Sequence, residues 1–86
     1  MERFLYKVNN ALGIYYKPAG EISGCAKQFE SDVHITKGTK RADGKHLLDI
    51  MKLDARQGEI IEVSVSGNDE KSAALAITDV LNGSIG

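Results

Sequence analysis

No stretch of this 86-residue sequence approaches the ~20 consecutive apolar residues that a membrane-spanning helix requires. The opening Met-Glu-Arg-Phe-Leu lacks the apolar segment and cleavage site of a secretory leader, so a cytoplasmic protein with no membrane contact is expected. A lone cysteine, Cys25, rules out an internal disulfide and fits a reducing compartment. Net charge is nearly absent too: 11 Lys and Arg against 12 Asp and Glu leave −1, which gives no broad field for nucleic acid or an anionic surface. There is a single proline and no polar low-complexity block, so the usual grounds for disorder are missing. What remains is a globular composition, 42% hydrophobic and 27% charged. A core of this size buries about 60–65% of the unfolded chain's surface, so one domain over residues 1–86 is expected, and a monomer.

The elements follow from periodicity. Phe4, Tyr6 and Val8 alternate within residues 2–8, the two-residue period of a half-buried strand. Ala19, Ile22, Ala26 and Phe29 recur at three- and four-residue spacings behind Pro18, which predicts a helix over 17–29. Gly20 and Gly24 inside it cost about 1 kcal/mol each relative to alanine and leave a flat surface. Residues 32–37 bury Val33 and Ile35 and expose His34 and Thr36, and Gly38-Thr39 turns the chain into a short strand at 40–43. Residues 46–53 carry too many apolar side chains for one helical stripe, so some of Leu47, Leu48 and Met51 are expected to face outward. Ile61, Val63 and Val65 alternate with Glu62, Ser64 and Ser66 in a strand over 59–66. Asn68 or Asp69 is expected to cap a last helix on Ala73, Ala74, Ile77, Val80 and Leu81, which Asn82-Gly83 would end. The order β-α-β-β-α-β-α predicts an α+β fold, an antiparallel sheet with its helices on one face.

The stretch Gly13-Ile14-Tyr15-Tyr16-Lys17-Pro18-Ala19 lies where the HPr family, the bacterial histidine-containing phosphocarriers of the sugar phosphotransferase system, has Gly-Ile-His-Ala-Arg-Pro-Ala. Residues 45–70 likewise resemble a second stretch of that family without a gap in register. The resemblance covers essentially the whole chain. It implies the open-faced β-sandwich of that family, four antiparallel strands covered on one side by three helices. It also implies two functional positions, and both differ here. Tyr15 stands at the phosphohistidine position, with Tyr16 and Lys17 beside it in place of a small residue and an arginine. His46 stands at the position of a regulatory serine, so no catalytic residue is expected.

The change at residue 15 has a chemical consequence. Imidazole is largely unprotonated at neutral pH and can attack a phosphoryl group, whereas a phenol of pKa about 10 is ionised in only ~1 molecule in 1000. A tyrosine phosphate is also a stable ester, while a phosphohistidine passes its phosphoryl group on. Lys17 keeps a charge but loses the planar guanidinium fork, and His46 has no hydroxyl to esterify. The expected role is therefore a regulatory or adaptor module that binds proteins, either phosphotransferase-system components or a transcriptional regulator. The alternative is a phosphocarrier that accepts from enzyme I at a non-standard residue, Tyr15 or His46.

Two surfaces are expected. Tyr15, Tyr16 and Lys17 flank a helix N-terminus that offers free N–H groups to an anion. Gly20, Gly24, Lys27, Lys45, His46, Leu47, Leu48, Met51 and Lys52 form a protein-binding face with a basic rim. Cys25, His34 and His46 lack zinc-ligand spacing, so no metal or other cofactor is expected. The basic run around Lys37, Lys40, Arg41 and Lys45 has no stacking aromatics beside it, so nucleic acid is not expected as a partner. No Ser/His/Asp arrangement is evident either.

Overall fold

In the computed structural model, which describes residues 1–84, the elements run β1 (Glu2–Lys7), α1 (Tyr16–Ala26), β2 (Asp32–Lys37), β3 (Lys40–Asp43), α2 (Leu47–Lys52), β4 (Ile60–Ser66) and α3 (Glu70–Ser84). The last two positions of the expected 1–86 domain lie outside the described residues. The four strands form one antiparallel sheet in the order β1-β4-β2-β3. Both the element order and the open sheet agree with the expectation.

The two-residue period sorts each strand's side chains between faces. Val33 and Ile35 of β2 and Ile61, Val63 and Val65 of β4 are buried. They join Ile22 and Ala26 of α1, Ile50 of α2, and Ala73, Ile77 and Leu81 of α3 in one core. Each such isoleucine or valine contributes about 1.5–3 kcal/mol relative to full exposure, enough to hold two glycines inside α1. The opposite face of the sheet stays open: Arg3, Leu5, Glu62, Ser64, His34 and Thr36 occupy the out-of-phase positions of β1, β4 and β2.

The boundaries differ from expectation where local chemistry decides. Helix α1 stops at Ala26 rather than 29 because the Gln28 and Phe29 N–H groups step back to the Cys25 and Ala26 carbonyls, tightening the coil. Phe29 still packs against the core. Helix α3 continues to Ser84 through Asn82-Gly83, so that pair does not end it. At its start the Gly67 carbonyl accepts from the Glu70 N–H at 3.3 Å, and the Glu70 carboxylate accepts from the Gly67 N–H at 3.1 Å. Asp69 stands directly ahead of the helix, as expected of its cap, with its carbonyl accepting from the Ala73 N–H at 2.9 Å, while its carboxylate turns elsewhere.

Asp69 is used for a longer-range purpose. Its carboxylate accepts from the Glu30 N–H at 2.9 Å, the Ser31 N–H at 3.0 Å and the Ser31 hydroxyl. These bonds hold its pKa below the usual carboxylate range, the Ser31 hydroxyl contributing most. Gly67 is required beside this clamp: at φ +155° a side-chain carbon there would lie 2.7 Å from the Ser31 Cα.

Candidate functional site

The loop ahead of α1 is set by its glycine. Gly13 has φ +68°, and a side-chain carbon there would run into the Ala55 carbonyl. The Gly13 N–H donates to the Asn10 carbonyl at 2.9 Å, and the Asn10 side-chain amide returns a bond to the Gly13 carbonyl at 3.1 Å. Buried Ile14 then anchors the chain, its N–H on the Ala55 carbonyl at 2.8 Å. Tyr15 follows in an extended conformation, and its carbonyl accepts the Ala19 N–H at 3.0 Å to open the helix.

The Tyr15 side chain does not cap the helix it precedes. Its ring meets that of Tyr16 edge to face, with centroids 5.3 Å apart. Tyr16 is 60% exposed, Lys17 is exposed, and Pro18 and Ala19 are buried. In an α-helix the first N–H groups have no intrahelical acceptor, so Tyr16 and Lys17 present theirs outward while Pro18 has none. With no acidic side chain in the first turn, this end of α1 stays positive.

Helix α2 lies against α1 and is pinned by Ile50 and the following Leu53, both buried. Leu48 is 66% exposed, and Leu47 and Met51 are 36% exposed, so the surplus of apolar residues faces outward as expected. Gly20 lies beside Leu47: a side-chain carbon on Gly20 would come 3.9 Å from the Leu47 Cδ1. Beside Gly24 there is open space. Lys27 and Lys52 are exposed at the ends of their helices. His46 precedes α2, exposed, its carbonyl accepting from Ile50 and its ring making no cap.

Lys45 is not a free rim cation. Its ammonium donates to the Phe29 carbonyl at 2.9 Å and is half-buried, bracing the segment after α1 against the start of α2. Nor does any hydrogen bond or ion pair join His46 to Tyr15, Tyr16 or Lys17 among the described residues.

The register exposes a juxtaposition that sequence spacing hides: His34 of β2 sits between Asp43 of β3 and Ser64 of β4 in one row across the sheet. The Asp43 carboxylate is taken by the Lys45 N–H at 2.9 Å, and among the described residues nothing bonds the His34 ring. That row therefore lacks the bonded relay of nucleophilic catalysis. Cys25 is half-buried, and burial followed by the charge of Asp79 pushes its thiol pKa up, away from reactivity. Among the described residues no three His, Cys, Asp or Glu side chains are placed to share a metal ion, and no helix is long and apolar enough to cross a membrane.

Residues 3–83 match the family PTS-HPr, described as the PTS HPr component phosphorylation site. The phosphocarrier protein HPr of Neisseria meningitidis serogroup A is 36% identical over 80 residues, covering 93% of this chain and 90% of that protein. The histidine-containing phosphocarrier protein of a Mycoplasma superposes with a TM-score of 0.95 at 23% identity, covering 98% of this chain and 96% of its own. A form of HPr from Thermoanaerobacter tengcongensis gives 0.92 at 27% identity, with 99% and 96% covered.

Proposed function

The chain belongs to the HPr family of the phosphotransferase system, and we propose that within this family it is a protein-docking regulator that does not relay phosphate. The observation that carries the proposal is Tyr15 at the N-terminal boundary of α1, where the family motif has its phosphohistidine. A phosphoryl group placed on a phenol there would form a stable ester, which is not readily passed on. The same boundary keeps two outward N–H groups and Lys17, which suit a carboxylate on a partner protein. Gly20 and Gly24 give α1 a low surface, and Leu47, Leu48 and Met51 of α2 supply apolar contact beside it. The partners are phosphotransferase-system proteins or a transcriptional regulator. Regulation does not require phosphate on residue 46.

The names of the relatives favour the second reading, in which the chain carries phosphate on another residue. Exposed His46 is the imidazole available to that reading at this face. Incubating the protein with phosphoenolpyruvate and enzyme I, then measuring intact mass, separates the two. No gain of phosphate is expected. A rapid, acid-labile single phosphate would sink the docking-only function, and its loss in His46→Ala would assign the site.

A further inference from the structure

Strand β1 is an edge strand, and its free side is built differently from its paired side. The Val8 N–H donates to the Glu59 carbonyl of the neighbouring chain segment. Backbone groups alternate in direction along an antiparallel strand, so Glu2, Phe4 and Tyr6 turn theirs toward β4. Arg3, Leu5 and Lys7 turn theirs to the open edge, where no described residue pairs with them. Side chains alternate with the same period. Those of Arg3, Leu5 and Lys7 stand on the open face of the sheet, Leu5 67% exposed. On the other face a groove of about 360 Å³ runs between the edge and α3, lined by Phe4, Ala74, Leu75 and Thr78 together with Glu2, Lys71 and part of Arg3. Leu75 is 70% exposed over this groove.

We propose that the free edge of β1 receives an extended segment of a partner protein as a fifth, antiparallel strand. The partner's acidic residues would stand opposite Lys7 and Arg3 with an apolar residue between them. The alternation dictates this pattern. Partner residues opposite Lys7, Leu5 and Arg3 lie on the open face, where two cations flank a leucine and Arg3 makes only a loose 3.8 Å ion pair with Glu62, so acidic–apolar–acidic at every second position is complementary. The residues between them point into the groove and are apolar, meeting Phe4 and Leu75. Six backbone groups, the N–H and C=O of three residues, become paired in the process. A second copy of β1 fits less well, because placing the leucines opposite one another sets Arg3 against Lys7 of the copy. The groove lies on β1 and α3, away from the α1–α2 face of the proposed function, so the two can be occupied independently.

The test uses the whole protein and the synthetic peptide acetyl-Thr-Asp-Val-Ile-Val-Asp-Thr-amide, with a twin carrying lysine for both aspartates. Amide hydrogen exchange by NMR reads the backbone directly. The acidic peptide should slow exchange at Leu5 and Lys7 at least tenfold, leave the already paired Phe4 and Tyr6 little changed, and shift resonances along residues 71–78. The lysine twin should bind at least tenfold more weakly, and Lys7→Glu should narrow that preference. Absent protection at Leu5 and Lys7, equal binding of the two peptides, or shifts confined to α1 and α2 would each overturn the proposal. So would the same protection appearing without peptide as protein concentration rises, which would mark self-association.

Discussion

Two helices of this protein begin in opposite ways. At the start of α3 every carboxylate is engaged: Asp69 takes three donors from Glu30 and Ser31, and Glu70 takes the Gly67 N–H and the chain's amino terminus at 2.6 Å. At the start of α1 no side chain caps the helix, two aromatic rings lie partly or largely in solvent, and the first turn holds a cation. Each entrance also has a glycine that steric contact demands, Gly67 against Ser31 and Gly13 against Ala55. Helix ends normally recruit a polar side chain worth about 1 kcal/mol. An end closed by its own side chains serves the fold, whereas one left open is available to a partner.

The largest effect that tests this contrast is Gly67→Ala. A side-chain carbon has nowhere to go beside Ser31, which is 1% exposed, and the positive φ adds strain. Overpacking and backbone strain together cost about 2–4 kcal/mol. For a domain of this size that lowers Tm by roughly 10–25 °C, readable by calorimetry. A shift of only a few degrees would mean that the α3 entrance is looser than its hydrogen bonds imply.

Acid should strike the same entrance next. The pKa values of Asp69 and Glu70 are lowered in the folded state by the donors they accept, so the unfolded chain takes up protons first. Their stabilising contribution is fully present above the ordinary carboxylate range near 4 and is lost as pH falls through their lowered folded values. Melting temperature should therefore decline on acidification below about pH 4–5, and Asp69→Asn should flatten that decline while lowering Tm at neutral pH. An unchanged slope in the variant would remove Asp69 from the account.

The opposite result is expected at the α1–α2 face. Leu48→Glu replaces a side chain that is 66% exposed, so stability should move by no more than about 0.5 kcal/mol. Binding to enzyme I without phosphoenolpyruvate, measured by calorimetry, should weaken about tenfold, the effect of one lost apolar anchor. A large loss of stability with unchanged binding would reverse the roles assigned to the two regions.

The two regions were also unequally legible in sequence. Strand β4 and the core face of α3 were readable because burial imposes a period, and the outward turn of Leu47, Leu48 and Met51 followed from an excess of apolar residues over one stripe. Tyr15 was placed by its resemblance to a family motif and lands at the start of α1. The clamp between Asp69 and Ser31 was not readable, since it joins residues 38 apart and the local pattern offered only a cap. The bond made by Lys45 is hidden for the same reason: a lysine beside a helix reads as a surface charge until folding brings the Phe29 carbonyl within 2.9 Å. The row Asp43, His34, Ser64 needed the strand register, which periodicity leaves free.

The smallest effect sharpens the contrast most, because fold and binding should respond with opposite sign. Gly24 lies inside α1 with open space where a side-chain carbon would stand, and its backbone is not in the positive-φ region. Gly24→Ala should therefore raise stability by about 0.5–1 kcal/mol through helix propensity and a less flexible unfolded chain. If α1 must be approached closely, the added methyl group should weaken enzyme I binding while the protein melts higher. Because a side-chain carbon at Gly24 would touch nothing in the free protein, weaker binding in a more stable variant cannot arise from damage to the fold. It would locate the docking surface on the flat side of α1. A gain in stability with undiminished binding would confine docking to the Tyr15 entrance and α2.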